Sequence, residues 1–173
     1  MDNKYYDLAV YIGRFQPWHV GHSHVLSIAK GISTQQCIVL GSMDKVNTKA
    51  NPWTCFERIS MMPDIEHIIG IRDYEDDRYW QSSLEHLTDK FEAKRVVLIG
   101  HEKDQSSNYL RSFIKWDLHL VQPIVAINAT DIREAYFRRG VILDTYLEQP
   151  AIDFLTRFAK SPNYKKIRDE SYS

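Results

Sequence analysis

Short apolar runs alternate along the chain with stretches in which apolar residues recur at helical spacing. That alternation predicts a parallel sheet covered by helices on both faces. Five strands are predicted, at Asp7–Gly13, Gln36–Gly41, Glu66–Ile71, Arg95–Gly100 and Asp117–Val121. We therefore expect an α/β protein with a doubly wound five-stranded parallel sheet, whose ligands bind outside the carboxyl ends of the strands.

The end of the chain, from Val141 to Ser173, predicts short helices and no further strand. Helices are expected at Leu143–Leu147 and at Pro150–Lys160, and a charged segment follows them. At 173 residues the chain is long enough for one well-packed core and too short for two comfortable ones. We expect a single domain over residues 1–173, with residues 143–173 as a helical C-terminal extension.

Composition and charge exclude several classes of protein. The chain is 43% hydrophobic and 26% charged, which is typical of a soluble globular protein. Its net charge of −1 argues against general nucleic-acid binding, which normally needs a basic surplus. No membrane span or signal peptide is visible. Cys37 and Cys55 lack disulfide or metal-ligand spacing and are predicted to be structural thiols, so we expect a cytoplasmic protein without nucleic-acid or membrane partners.

The first predicted strand leads into the sequence GRFQPWHVGHSH, residues 13–24, and then into an apolar stretch with helical spacing. In a strand-to-helix turn, free backbone N–H groups and the positive end of the helix dipole converge on a place suited to an anion. Arg14, His19 and His22 add side-chain donors there, and the glycines let a ligand approach the backbone. The pattern indicates phosphate binding.

Two further stretches carry helix-start signals. Thr54 and Glu57 fit a capping box, in which each side chain satisfies the other residue's backbone N–H, and this explains both without any function. Farther along, Asn128 or Thr130 can cap another helix. Arg133 would then lie in the first turn, where a cation is unfavourable unless an anion is near, so Arg133 is a candidate anion-binding residue.

A charged and aromatic cluster after the third strand leads into a predicted helix. Trp80, Leu84, Leu87 and Phe91 recur at helical spacing along it. That spacing is typical of residues that pack against a core, so packing by itself accounts for Trp80.

The turn sequence GRFQPWHVGH resembles the His-x-Gly-His motif of a nucleotidyltransferase superfamily, and within it the nicotinamide mononucleotide (NMN) adenylyltransferases of the NadM type. NPWTCFER, IGHEKD and the stretch from Ile127 to Arg133 resemble further family segments in the same order. The resemblance spans about Asp7 to Tyr146. It implies a Rossmann-like nucleotidyltransferase fold and transfer of AMP from ATP to NMN, giving NAD and pyrophosphate in NAD biosynthesis.

The resemblance also implies roles for single residues. The catalytic group would be His19, His22, Arg14 and Arg133, with the histidines as donors to the triphosphate and the arginines as clamps on its β- and γ-phosphates. ATP would contact Gly13, Arg14, Phe15, His19, His22, Gly100, His101, Asn128, Thr130 and Arg133. NMN would contact Trp80, Asp77, Ser42 and Phe15. Mg²⁺ is expected to arrive with ATP, because the sequence shows no carboxylate cluster for a dedicated metal site.

For Trp80 the resemblance offers an alternative to core packing, namely stacking on the nicotinamide ring. A cationic ring over an indole face gains roughly 0.5–2 kcal/mol. Where some relatives hold the carboxamide with an asparagine, this chain has Asp77. A carboxylate can accept from the amide NH₂ and repels the carboxylate of nicotinic acid mononucleotide, which favours NMN without deciding firmly between the two.

The sequence departs from the family pattern at two places. Ala50 stands where archaeal members carry a phosphate-contacting arginine, and Lys49 is the nearest substitute. Asn128 stands where the second signature has serine, and it keeps an acceptor there. Many relatives continue into a Nudix hydrolase domain, and the sequence leaves open whether this chain is single-function or part of a longer protein.

Other functions stay open on the sequence. One is another adenylyl- or cytidylyltransferase of the superfamily, with pantetheine phosphate or glycerol phosphate as acceptor. The other is a non-catalytic nucleotide-sensing module. Relatives often associate, so a homo-oligomer is compatible with the sequence, which does not determine the oligomeric state.

Overall fold

A computed structural model of the chain describes residues 4–101 and 115–173. Five parallel strands form one sheet in the order β3-β2-β1-β4-β5. They are β1 Tyr6–Gly13, β2 Ser33–Leu40, β3 His67–Gly70, β4 Val96–Gly100 and β5 Asp117–Leu120. The predicted doubly wound parallel sheet is confirmed, and each predicted strand end lies within three residues of the observed one.

The helices in the described residues are α1 Val20–Ile32, α2 Cys55–Ser60, α3 Asp77–Asp89, α4 Ala129–Arg133, α5 Gln149–Phe158 and α6 Pro162–Ser171. A π-helical turn, Glu134–Arg138, continues α4 directly, and a 3-10 turn spans Asp144–Tyr146. The two predicted helices of the C-terminal extension correspond to this 3-10 turn and α5. Helix α6 occupies the segment that the sequence marked only as charged.

Strand β1 separates two cores because its successive side chains point to opposite faces of the sheet. Ala9 and Tyr11 pack in a cluster with residues of α1. Leu8 and Val10 pack on the other face in a cluster that includes Leu84 of α3. The sheet is therefore covered on both sides, and its winding reverses between β1 and β4. The carboxyl ends of these two strands flank the crevice where ligands of such sheets bind.

One predicted core position on α3 is wrong. Leu84 is fully buried, whereas Leu87 is 36% exposed and Thr88 takes the inward position instead. A step of four residues from Leu84 turns about 40° past a full helical turn, while a step of three stops about 60° short of it. Thr88 therefore faces the sheet more directly than Leu87. Trp80 is half-buried and packs against the cluster that contains Leu84.

A third cluster joins the C-terminal extension to the rest of the molecule. Trp53 and Tyr136 pack there with Leu155 of α5 and Ile167 of α6. The extension also reaches α1, where the Ser23 hydroxyl donates a hydrogen bond to a carboxylate oxygen of Glu148. Within the two described ranges, no helix combines the length and the apolar character needed to cross a membrane.

Candidate active site

Two histidines form a capping box at the start of α1. His19 is the N-cap residue, and its Nδ1 accepts the backbone N–H of Gly21 at 3.1 Å. His22 completes the box, because its Nδ1 accepts the backbone N–H of His19 at 3.1 Å. Ser or Thr and Glu or Gln usually hold these two places. The three-residue separation of the histidines is therefore the separation that a capping box requires.

The box determines where each imidazole carries its proton. Because Nδ1 accepts a hydrogen bond in both rings, the proton of each neutral ring lies on Nε2. The rings stack with centroids 3.7 Å apart and planes 25° from parallel. His19 is 2% exposed and His22 is 8% exposed, so the surrounding structure holds both rings in place. The turn thus carries two oriented Nε2–H donors.

Gly21 makes room for the His19 ring. A Cβ atom at Gly21 would lie 3.0 Å from Nδ1 of His19 and 2.9 Å from its Cε1, and the second distance is closer than real Cβ contacts come. The glycine between the histidines was expected to let a ligand approach the backbone. The structure adds a reason that needs no ligand, since any larger residue would push the imidazole out of the cap.

Phe15 supports the histidines from within the core. Its ring packs against Tyr11, Trp18 and His22, with centroids 5.1, 5.0 and 4.9 Å away. A Cβ atom at Gly13 would lie 2.8 Å from this ring. Phe15 as a whole is only 2% exposed, so its predicted contacts with ATP and NMN stay untested and its observed role is to support the histidines.

Asn128 begins α4, which corrects the predicted position of Arg133. The Asn128 side chain accepts the backbone N–H of Asp131 at 3.0 Å, so Asn128 rather than Thr130 is the cap. Helix α4 then starts at Ala129, and Arg133 is its fifth residue. The expectation that Arg133 lies in the first turn is wrong, because that expectation required Thr130 to be the cap.

Burial indicates a functional role for Arg133 more strongly than its position in α4 does. Arg133 is 5% exposed, and its guanidinium donates to three oxygens of the protein. Nη1 donates to the Gln16 carbonyl at 2.8 Å, Nε to the Lys49 carbonyl at 3.2 Å and Nη2 to Thr130 Oγ1 at 3.2 Å. Arg133 therefore joins the histidine turn, the loop after β2 and α4.

Arg58 is a functional candidate that the sequence reasoning missed. It is fully buried, and its Nη1 donates to the carbonyls of Arg14 and Gly41, both at 2.8 Å. Nη2 lies 3.2 Å from Cys55 Sγ. Arg58 therefore holds the carboxyl ends of β1 and β2 together. The available signal was the place of Arg58 in NPWTCFER, which resembles a family segment, but the sequence alone does not tell that its side chain faces inward.

Gln16 is a second residue that the sequence did not reveal. It is buried, its Nε2 donates to Asn51 Oδ1 at 3.3 Å, and its Oε1 accepts the backbone N–H of Trp53 at 3.1 Å. With its carbonyl bound by Arg133, Gln16 fastens the histidine turn to the end of the loop after β2.

Three arginines make this edge of the sheet cationic. Burial lowers the pKa of both Arg133 and Arg58, and repulsion from the exposed Arg14 acts on both in the same direction. Guanidinium groups bind phosphate oxygens strongly and in a defined geometry. The arrangement is suited to a ligand with several negative charges.

A second polar cluster lies at the ends of β2 and β3. The Ser42 hydroxyl donates to the Asp73 carboxylate at 2.9 Å, and Lys45 Nζ lies 2.6 Å from the same carboxylate. Burial works to raise the pKa of Asp73, but the hydrogen bonds from Lys45 and Ser42 and the charges of Lys45 and Arg14 outweigh it, so the pKa lies below its usual value. The charge of Arg14 thus helps to lower the pKa of Asp73 as well as those of Arg58 and Arg133.

The other predicted residues are more dispersed. Asp77 is the exposed first residue of α3, and Trp80 lies one turn farther along it. Gly100 ends β4 and the half-buried His101 follows, whereas Lys103 and Asp104 lie outside the described residues. Lys49 Nζ is 3.2 Å from Glu134 Oε1, so its cation is paired within the protein.

Within the described residues, 4–101 and 115–173, no group of three or more His, Cys, Asp or Glu side chains is placed to hold a metal ion.

The model of the cytidylyltransferase-like family matches residues 10–142, which include the histidine turn and α4. The chain belongs to this family. A nicotinamide/nicotinic acid mononucleotide adenylyltransferase of Acinetobacter baylyi is 32% identical to it, over 95% of this chain and 93% of that protein.

Solved structures of a Francisella tularensis protein have the same fold. That protein is described as a bifunctional NMN adenylyltransferase/ADP ribose pyrophosphatase, and one structure is 32% identical, with a TM-score of 0.85 over 95% of this chain. Another, with AMP and a manganese ion, is 30% identical with a TM-score of 0.83. The chain spans about half the length of the Francisella chains, 53% and 52%.

In this cytidylyltransferase-like chain, the described part of the site offers hydrogen-bond donors and positive charge. The paired imidazoles carry Nε2–H groups, and the buried Arg58 and Arg133 supply fixed charge at the same edge of the sheet. Such an arrangement can stabilise charge that develops on a leaving group, which is what transfer of a nucleotidyl group requires.

Proposed function

We propose that this chain transfers AMP from ATP to NMN, giving NAD and pyrophosphate. The observation that carries the proposal is the capping box of His19 and His22, which fixes two imidazoles with their protons on Nε2 at the edge of the sheet where Arg14, Arg58 and Arg133 also lie. The names of the Acinetobacter and Francisella relatives agree with this reaction.

The reaction needs no covalent intermediate with the protein. A phosphate oxygen of NMN attacks the α-phosphorus of ATP, the bond between that phosphorus and the bridging oxygen breaks, and pyrophosphate leaves with the electron pair. His19 and His22 donate from Nε2 to the triphosphate as negative charge accumulates on the departing group. Positioning and charge stabilisation are sufficient for such a displacement.

The two arginines of the proposed catalytic group contribute differently. Arg14 is exposed, so its guanidinium can close on the β- and γ-phosphates directly. Arg133 is held by the carbonyls of Gln16 and Lys49, so it acts as a fixed positive charge behind the same phosphates. A fixed charge requires little reorganisation during the reaction, which favours the transition state.

Mg²⁺ is proposed to enter as part of the substrate, bound to the phosphates of ATP. Mg²⁺ commonly keeps several waters and binds through substrate phosphates rather than through an all-protein cage. The donor set at this edge supports that view, because it consists of imidazole and guanidinium groups, which do not suit a resident hard cation.

On the acceptor side, we propose that NMN lies near the ends of β2 and β3 and the start of α3, in contact with Ser42, Asp77 and Trp80. Lys45 neutralises the Asp73 carboxylate beside Ser42, so Asp77 is the side chain that adds negative charge to this side. Negative charge favours the cationic nicotinamide ring and disfavours the extra carboxylate of nicotinic acid mononucleotide. Preference for the amide follows, although the name of the Acinetobacter relative includes both acceptors.

The remaining assignments stay proposals as well. Residues 1–173 form one nucleotidyltransferase domain in our interpretation, supported by the core that α5 and α6 share with Trp53 and the helix around Tyr136. The cytoplasmic location and self-association stay predictions from the sequence.

The test is an assay of the purified protein with ATP, Mg²⁺ and either NMN or nicotinic acid mononucleotide, in which dinucleotide and pyrophosphate are both measured. We expect equal amounts of NAD and pyrophosphate with NMN and slower turnover with the acid. Equal use of both acceptors would remove the argument from Asp77. Bound ATP without dinucleotide from either acceptor would overturn the proposed reaction.

A further inference from the structure

We propose that Tyr172, at the end of α6, is a positioning residue for the phosphate side of the site. It acts through the Lys49 carbonyl, the oxygen to which Arg133 also donates. The inference rests on the proposed adenylyl transfer and connects it to the C-terminal extension, in which the sequence shows no functional motif.

The structure seats Tyr172 firmly. It is 4% exposed, and its ring stacks on Phe137 with centroids 5.0 Å apart and planes 20° from parallel. Its hydroxyl donates to the Lys49 carbonyl at 3.0 Å. The Lys49 ammonium lies over the same ring, 5.0 Å from its centroid. The Tyr172 side chain therefore contacts both the backbone and the side chain of Lys49.

Lys49 is where the extension meets the catalytic group. Its carbonyl accepts the Tyr172 hydroxyl and also Nε of Arg133 at 3.2 Å. A carbonyl oxygen has two lone pairs, so it can accept both donors at once. Burial raises the pKa of Tyr172 while the adjacent Arg133 opposes that rise. The hydroxyl consequently keeps its proton at neutral pH and remains a donor.

Loss of the hydroxyl would release one side of this junction. The Lys49 carbonyl would keep only Arg133, and the loop that carries Lys49 would lose its bond to α6. Arg133 would then be held less closely against the β- and γ-phosphates, while the acceptor side at Ser42 and Asp73 would be untouched. The expected signature is an effect on ATP that NMN does not share.

The test compares Tyr172→Phe with Tyr164→Phe. Phenylalanine at position 172 keeps the stack on Phe137 and the contact with the Lys49 ammonium, so only the hydroxyl is lost. Tyr164 is a matched control because its buried hydroxyl donates to a carbonyl in the same apolar cluster, that of Tyr136 at 2.9 Å. The control therefore removes a comparable hydrogen bond, away from Lys49 and Arg133.

We expect Tyr172→Phe to raise the KM for ATP severalfold, by at most about tenfold, which is the full worth of one hydrogen bond, with the KM for NMN unchanged. Tyr164→Phe should change neither KM, and both variants should lose similar thermal stability. A Tyr172→Phe enzyme with wild-type constants, or the same change in both variants, would overturn the proposal.

Calorimetric titration with Mg²⁺–ATP separates this inference from the proposed function. A wild-type protein that binds ATP without forming NAD would remove the proposed reaction. The ratio of ATP dissociation constants between Tyr172→Phe and Tyr164→Phe would still test the positioning role. We expect weaker binding in Tyr172→Phe alone, and equal affinity in the two variants would exclude that role.

Discussion

At the scale of single residues, each histidine of the turn caps α1 with one nitrogen and, in the proposed reaction, donates with the other. Nδ1 caps the start of α1, and Nε2 is the donor that the proposed reaction uses. The tasks are separable because other side chains can cap a helix without offering a donor at the position of Nε2. Asparagine is a good N-cap residue, and glutamine is common at the third helical position of a capping box.

We therefore predict that His19→Asn abolishes most activity and leaves the fold stable. Turnover should fall by about 10²–10³, the effect of losing one donor to a developing negative charge. His19→Ala should lose the same turnover and also about 1 kcal/mol of stability, because the cap is gone. Steady-state kinetics and urea unfolding of both variants check this. Near-normal turnover in His19→Asn would show that Nε2 is not the catalytic atom.

At the scale of elements, α2 matters because it places the buried cation of Arg58 against the segments that follow β1 and β2. The Thr54–Glu57 capping box starts the helix as predicted, with Thr54 Oγ1 accepting the Glu57 N–H at 3.2 Å and Glu57 Oε2 accepting the Thr54 N–H at 2.8 Å. Arg58 follows at once and reaches the carbonyls that end β1 and β2. The helix consequently positions Arg14 through its backbone.

We predict that Arg58→Met destabilises the protein by about 2 kcal/mol and lowers turnover as well. Two carbonyls lose a charged donor, each bond being worth about 1.5–3 kcal/mol, while the relief of arginine desolvation offsets part of the loss. Arg78→Met is the control, since the Arg78 side chain is 90% exposed and pairs only with its neighbour Asp76 in the described contacts. Urea unfolding and initial rates measure both effects. Equal stability of the two variants would contradict the role given to Arg58.

At the scale of the whole molecule, several carboxylates tie distant segments together and make stability depend on pH. The pKa of Asp73 is lowered by Lys45 and Ser42 against the opposing effect of burial, and hydrogen bonds from Arg138 and Lys49 lower that of Glu134. A lowered folded pKa contributes stability that is fully present above the unfolded value, about pH 4 for Asp and Glu. That contribution is lost as the pH falls through the folded pKa.

We predict that acid unfolding is shallower in Asp73→Asn than in the wild-type protein. The difference should be below about 1 kcal/mol, because the Asp73 side chain is 39% exposed and solvent screens its ion pair. Asp64→Asn is the control, as Asp64 is exposed and has no ion pair among the described residues. Thermal unfolding between about pH 2.5 and pH 7 checks the sign. A pH profile for Asp73→Asn identical to that of the wild type would contradict it.

Much of the fold and part of the site could be predicted from the sequence because their signals are local. Apolar runs predict the strands, and a strand followed by a glycine-bounded turn and a helix predicts an anion site. The spacing of His19 and His22 carries both the family resemblance and the capping box. The prediction that Leu87 is buried failed because spacing does not distinguish an inward position from the adjacent one. Thr88 occupies the inward position.

The sequence by itself determined the order of the elements, the helix caps and the chemical character of the first turn, since each depends on residues a few positions apart. Only the tertiary structure decided which side chains support that turn. Arg133 reaches Gln16 across 117 positions, and Tyr172 reaches Lys49 across 123. Contacts between residues so far apart in the sequence depend on how the sheet and the C-terminal helices pack. No local sequence pattern predicts that packing. The burial of Arg58 and Arg133 follows from the same packing, which holds both guanidinium groups in fixed positions at the candidate site.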